Sequence, residues 1–331
     1  MVKNKSLSIF NFNIFILNKF IVKILLFFLL PALLLAGVSE YSIRQIPNDY
    51  SYKNSWMTKN CKNLNILCLG SSTVFFGINP NHFKTKAFNA SHISQTLNYD
   101  NFIFNKFINQ MDSLKYLLLD INYISPFTSL ENSEEWWRVK YYSIYYDNDF
   151  HRGELKYNYE LAVHNLSTFE SAGNGILLKL GMSNYSKIKV NELGFGTNYS
   201  LNKRTKNWND GKEEALKHSI WLKREKDLDL IDNNKIYVND ILKKCAARKI
   251  KVLLISTPVS QTYVSNLNNN YLKKKTEFCN SFKDSSNNIS YIDFSSDNRF
   301  IDEDFFDANH LNETGARKFT IIINDILSKW K

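Results

Sequence analysis

Asn65-Ile66-Leu67-Cys68-Leu69-Gly70-Ser71-Ser72 is the stretch that decides the fold. Five residues, four of them apolar, have the length of a buried strand, and the glycine then breaks the run and hands it to two serines. Comparable short apolar runs recur at residues 86–89, 114–121, 250–256 and 289–294. Helical periodicity lies between them, over about 96–111, 232–248 and 266–283, and after them over about 313–330. In the last of these, Phe319, Ile322, Ile323, Ile326 and Leu327 recur on one side, and Asn312 stands where an N-cap belongs. Strands alternating with helices predict an α/β fold with a parallel sheet.

Outward from this frame, residues 127–230 separate the third strand from the fourth. A structureless loop of that length is improbable in a compact domain, so the region reads as an inserted lid or recognition subdomain. It holds Trp136, Trp137, Trp208 and Trp221, which can stack on sugar faces or fill the insertion's own core.

Before the first strand, residues 24–38 carry no charge, and with Ile21, Val22 and Lys23 the apolar stretch reaches about 18 residues, enough to span a bilayer. Lys3, Lys5, Lys19 and Lys23 precede it, which predicts a cytoplasmic N-terminus and an extracytoplasmic remainder. A cleaved signal peptide is the rival reading, but Ala36-Gly37 is followed by no strong cleavage pattern. A buried soluble helix would need a polar second face. The expected organisation is a tail and transmembrane anchor over residues 1–40, a polar stalk over 41–63, and the α/β domain over 64–331.

The chain has 331 residues, a net charge of +10 and 44% hydrophobic residues, ample for a large core. Its Lys and Arg residues are dispersed rather than gathered into a stripe interleaved with aromatics, which argues against nucleic acid as a partner. Cys61, Cys68, Cys245 and Cys279 have no metal-ligand spacing. Cys68 reads as a buried thiol, and a disulfide among the others is open.

In parallel sheets, ligands bind beyond the carboxyl ends of strands, where Ser71 and Ser72 stand. These serines can cap a short helix over residues 73–77, or one can act as a nucleophile. Far downstream, Asp307-Ala308-Asn309-His310 places an aspartate three residues before a histidine. Serine needs a base, imidazole serves as one at neutral pH, and its second nitrogen needs an orienting acceptor. His82, His92, His151, His164 and His218 lack comparable context.

These two segments together resemble the SGNH (GDSL-like) hydrolase superfamily. Gly70-Ser71-Ser72 is similar to its Gly-Asp-Ser block, with Ser71 in place of the aspartate and Ser72 as nucleophile. Asn89-Ala90-Ser91 takes the place of Asn-x-Gly, and Asp120-Ile121-Asn122-Tyr123 that of Gly-x-Asn-Asp. Asp307 and His310 match the terminal Asp-x-x-His. The resemblance implies a flavodoxin-like three-layer fold and ester chemistry without metal or cofactor. It also implies a Ser72–His310–Asp307 triad and an oxyanion hole from the N–H groups of Ser72 and Ser91 with the Asn122 amide. The membrane helix is most like that of cell-envelope members, which implies an acylated glycan or other ester as substrate and a membrane acyl-donor protein as partner. The altered middle blocks leave a second reading, an inactive envelope assembly or glycan-binding protein on the same fold.

Overall fold

In the computed structural model, which describes residues 14–162, 166–224, 229–282 and 288–330, the five apolar runs form one parallel sheet. Its strands are β1 (Ile66–Leu69), β2 (Ala87–Asn89), β3 (Tyr116–Asp120), β4 (Lys251–Ser256) and β5 (Ile289–Asp293), in the order β2-β1-β3-β4-β5. Every neighbouring pair is parallel, with Leu67 opposite Phe88 on one side and Leu117 on the other. The fold class is thus the expected α/β.

Near-continuous apolar strands follow from burial on both faces. One face carries Leu67, Leu69, Leu117, Leu119, Val252 and Leu254 into a core shared with Ile103, Phe104, Val238, Ile241 and Phe278. These partners lie on helices α4 (Leu97–Phe107), α9 (Asp229–Ala247) and α11 (Asn269–Asn280). The opposite face carries Ile66, Cys68, Leu118, Leu253 and Ile255 against Val74 of α3 (Ser72–Gly77) and Phe319, Ile323 and Leu327 of α12 (Glu313–Lys329). Asn312 caps α12 as its side chain accepts from the N–H groups of Thr314 and Gly315. The expected helix at 266–283 starts at Asn269; its expected end at Lys283 lies outside the described residues, as do Lys3, Lys5 and His164.

The segment expected as a stalk is instead part of the core. Helix α2 (Asp49–Asn60) begins at an Asn48–Ser51 capping box and buries Tyr50, Lys53 and Met57. Cys61 and Leu64 continue the same apolar surface. The misreading has a physical cause: three buried positions at 50, 53 and 57 keep helical spacing, but one is a lysine among polar neighbours, so the apolar stripe is nearly invisible.

The chain divides into two compact units, residues 48–158 with 187–331, and residues 1–47 with 159–186. The first holds the sheet. The second holds helix α1 (Ile14–Arg44) and α7 (Leu166–Lys179). Within it, the Glu40 carboxylate accepts from the N–H groups of Glu160 and Leu161 and pairs with Arg44. Residues 19–44 of α1 are long and apolar enough to cross a membrane, with a mean hydropathy of 2.6 over an 18-residue window. Region 127–230 is therefore shared between the units rather than forming one lid. Its remaining helices are α5 (Val139–Tyr146), α6 (Leu155–Asn158) and α8 (Gly211–Arg224), and α10 (Gln261–Val264) follows β4. All four cysteines are buried free thiols.

Candidate functional site

The strand order locates the site. The chain leaves β1 for β2 on one side, then returns to place β3 on the other, so the loops after β1 and β3 diverge at adjacent strand ends. Gly70-Ser71-Ser72 leaves β1 and Ile121-Asn122 leaves β3. Position 70 requires glycine: φ is +142°, and a Cβ there would lie 2.5 Å from the Asp120 Cβ. That close approach turns the chain sharply into α3 and brings Ser72 to the rim.

Ser72 Oγ lies 2.8 Å from His310 Nε2, across 238 residues of sequence. On the far side of the ring, Nδ1 donates to Asp307 Oδ1 and Oδ2 at 2.9 and 3.0 Å. The loop carrying these two residues is tightly tied. Asp307 Oδ1 also accepts from the N–H groups of Asn309 and His310, Phe306 N–H donates to the His310 carbonyl, and Phe305 bridges Leu311. Asn312 ties the same loop to the Glu303 and Phe305 carbonyls while capping α12. Tyr199 stacks on Phe76 and Phe306 and meets the His310 ring edge-on at 5.3 Å.

Burial works against charge on His310, but the Asp307 carboxylate outweighs it, aided by Glu214 and Asp120, and the imidazole pKa rises above its ordinary value. Asp307 is conversely held low: burial opposes its charge, and His310 with the two backbone N–H groups overcomes that. The ring is therefore oriented by Asp307 with Nε2 facing the Ser72 hydroxyl, the arrangement in which imidazole can take the serine proton.

The serines divide their work. Ser71 occupies the N-cap position of α3, yet its side chain makes no cap bond. Its hydroxyl instead joins a buried cluster with Thr73 Oγ1 at 3.0 Å, Asp120 Oδ2 at 3.3 Å and Asn122 Nδ2 at 2.9 Å. Asp120 Oδ2 also accepts from Thr73 and Asn122. Burial pushes the Asp120 carboxyl up to about 6 despite these donors, and nearby Asp100 up to about 8. Among the described residues, Asp120 Oδ1 has no hydrogen-bond partner. Ser72 is thus left with His310 rather than a capping task.

Ser91 is not brought to the site. It is fully buried, its N–H donates to Asn89 Oδ1 at 3.2 Å, and its hydroxyl bonds the same oxygen. Its carbonyl accepts from Lys53 Nζ at 2.5 Å. The N–H expected of Ser91 for an oxyanion is thus engaged by the Asn89 side chain, and Ser91 does not line the cavity that Ser72 lines. Asn89 in turn donates to the Val74 and Ile78 carbonyls, clamping the C-terminal end of α3. Lys53, stripped of water by burial, has its pKa lowered to about 7 even with Asp49 nearby. Asn122 does reach the site, with both amide hydrogens directed at Ser71 and Asp120 and its carbonyl accepting from Ile124 and Ser125.

Ser72 and His310 open into a cavity of about 310 Å³, within the usual range for small-ligand pockets. Of the four tryptophans singled out in the sequence, Trp221 lines it. Trp136 packs against the main core, Trp208 against the opposite one, and Trp137 meets Tyr141. Sequence reasoning passed over Glu214, His218, Tyr199 and Tyr263, which also line the cavity. Glu214, His218 and Trp221 stand at i, i+4 and i+7 of one helix, a spacing that was readable beforehand. No metal-binding cluster of His, Cys, Asp and Glu occurs among the described residues. No family model matches the chain, no curated protein shows significant similarity to it, and no solved structure matches it.

Proposed function

We propose that this protein is a serine-dependent ester hydrolase or O-acyltransferase of the SGNH type. The observation that carries this reading is the Ser72–His310–Asp307 alignment, with Oγ to Nε2 at 2.8 Å and the carboxylate on the opposite ring nitrogen. The strand order 2-1-3-4-5, which is that of flavodoxin-like sheets, supports it, as does the position of Ser72 at the switch point.

His310 Nε2 takes the Ser72 proton as Oγ attacks the ester carbonyl. The Ser72 N–H and the Asn122 amide, exchanging its Ser71 partner for the oxyanion, stabilise the tetrahedral intermediate. Each such donor is worth roughly 3 kcal/mol of barrier. His310 then protonates the leaving oxygen. Water releases the acyl group in a hydrolase, and a carbohydrate hydroxyl does so in a transferase. Helix α1 anchors the protein, with the sheet-bearing unit on the extracytoplasmic side by the bias of Lys19 and Lys23. An acylated cell-envelope glycan or polymer suits that location, with a membrane acyl-donor protein as source in the transferase case.

The engaged N–H of Ser91 favours one rival, a non-catalytic glycan-binding protein on this scaffold. Fluorophosphonate labelling decides between them. Stoichiometric labelling of wild type, lost in Ser72→Ala and His310→Ala together with p-nitrophenyl acetate hydrolysis, is the expected result. Polysaccharide binding with an unlabelled Ser72 would replace catalysis with recognition.

A further inference from the structure

Beyond the Ser72 dyad, the same cavity has a second polar wall on α8, and no step above uses it. His218 is buried, and its Nδ1 lies 2.5 Å from the Tyr263 hydroxyl. Nε2 lies 3.5 Å from Glu214 Oε1, so a neutral ring that carries its proton on Nε2 faces the carboxylate with it and leaves Nδ1 to accept from the Tyr263 hydroxyl. Trp221, one turn further, lies 5.0 Å from the imidazole centroid to centroid. Glu214, His218, Trp221 and Tyr263 all line the cavity that Ser72 and His310 line.

We propose that α8 carries the acceptor subsite of this cavity, where Glu214, steadied by His218, and the ring of Trp221 bind a neutral polyhydroxylated acceptor, a sugar, beside Ser72. The inference rests on the ester reading above and turns it toward transfer. A carboxylate can accept from two neighbouring hydroxyls at once, and an indole covers the C–H face of a pyranose. The chemistry also excludes one class. An acceptor bearing its own carboxylate would meet the Glu214 carboxylate in the same cavity.

Burial, with the charges of His310 and Lys217, lowers the His218 pKa to about 4, so its ring is neutral at physiological pH and packs beside Glu214 with Nδ1 engaged by Tyr263. In the transfer step the bond from Ser72 Oγ to the acyl carbon breaks and the sugar oxygen bonds that carbon. The hydroxyl proton passes through His310 Nε2 to Ser72 Oγ. Glu214 holds the sugar and exchanges no proton.

The test uses full-length protein in detergent with p-nitrophenyl acetate as donor and methyl glucoside, methyl glucuronide or ethanol as acceptor. Mass spectrometry gives the ratio of acetylated acceptor to free acetate. Wild type should favour the glucoside over the glucuronide. In Glu214→Gln the transfer ratio to the glucoside should fall about tenfold, the scale of one lost charge-assisted hydrogen bond. The glucoside-over-glucuronide preference should shrink with it, which a merely structural role would not produce. Trp221→Ala should lower transfer to the glucoside but not to ethanol, and Trp221→Phe should restore much of it. An unchanged ratio in Glu214→Gln, or equal transfer to both sugars in wild type, overturns the proposal. Saturation-transfer NMR of methyl glucoside separates the two readings. No p-nitrophenol release, with sugar binding that Glu214→Gln weakens, defeats the ester reading and leaves the subsite. Release without any sugar transfer or binding defeats the subsite alone, and loss of both defeats both.

Discussion

Replacing Asp307 by asparagine separates what the carboxylate's charge does from what its oxygen atoms do. Asp307 Oδ1 accepts from two backbone N–H groups and, with Oδ2, from the imidazole. Asparagine can keep the backbone bonds, so the loop 305–311 should survive. The negative charge beside Nδ1 is lost. His310 is buried, and burial disfavours its charged form; only the raising contributions, Asp307 foremost, put its pKa above the ordinary value. Without Asp307 burial should prevail, so the pKa should fall in Asp307→Asn. A base must be neutral to accept a proton, so the rising limb of kcat/KM against pH should move to lower pH in the variant. Its plateau should nevertheless drop by about 10³ to 10⁴, because the developing imidazolium has lost its counter-charge and its tautomer is no longer fixed. Stability moves with opposite pH sense. A raised His310 pKa and a depressed Asp307 pKa mean that the pairing contributes fully between about 3.9 and about 6.5, and that its contribution is lost as pH rises through the folded His310 value or falls through the folded Asp307 value. The variant should therefore lose about 1.5 to 3 kcal/mol near pH 5 and progressively less toward alkali and toward strong acid. NMR titration of the His310 Cε1 proton, alongside urea melts at several pH values, reads this without any substrate. A His310 pKa unchanged in Asp307→Asn would refute the reasoning, whatever the activity.

Gly70→Ala forces a Cβ to 2.5 Å from the Asp120 Cβ at a backbone angle that favours glycine, and should cost more than 2 kcal/mol in chemical denaturation. Asn89→Ala removes the clamp on the Val74 and Ile78 carbonyls; a loss of about 2–4 kcal/mol is expected, and Ser72 labelling by fluorophosphonate should slow as α3 loosens. Met57→Ala should destabilise the sheet-bearing unit by about 2–5 kcal/mol in thermal melts, and a chain beginning at residue 64 should fail to fold, since α2 supplies core rather than a tether.

What the sequence disclosed followed from how local each signal was. Strands β1 to β4 are largely buried and β5 is half-buried, and all five were visible as short runs rich in apolar residues, with ends that match or are displaced by one or two residues. The cap at Asn312 was equally plain because one side chain satisfies two N–H groups nearby in sequence. Helix α2 was hidden because its buried face includes Lys53, whose hydrogen bond to the Ser91 carbonyl exists only in the folded chain. Ser91 was misread for a related reason. A motif position states which residue is present, not where its N–H points, and here Asn89 Oδ1 captures it. Glu214 and His218 were passed over because their significance depends on Tyr263, 45 residues beyond His218.

The cluster beneath Ser72 ties the hydroxyl of Ser71 to a buried carboxylate. That carboxylate is Asp120, which accepts from the hydroxyls of Ser71 and Thr73 and the amide of Asn122. A charged side chain at position 71 would face Asp120 at close range, and two buried carboxylates so placed repel strongly. Ser71 is therefore coupled to Asp120, and placing an aspartate there with Ser71→Asp should weaken the site. Ser71→Asp combined with Asp120→Asn should recover part of the loss. A double-mutant cycle on thermal stability measures that coupling, and strict additivity would show that the cluster is not the reason serine occupies position 71.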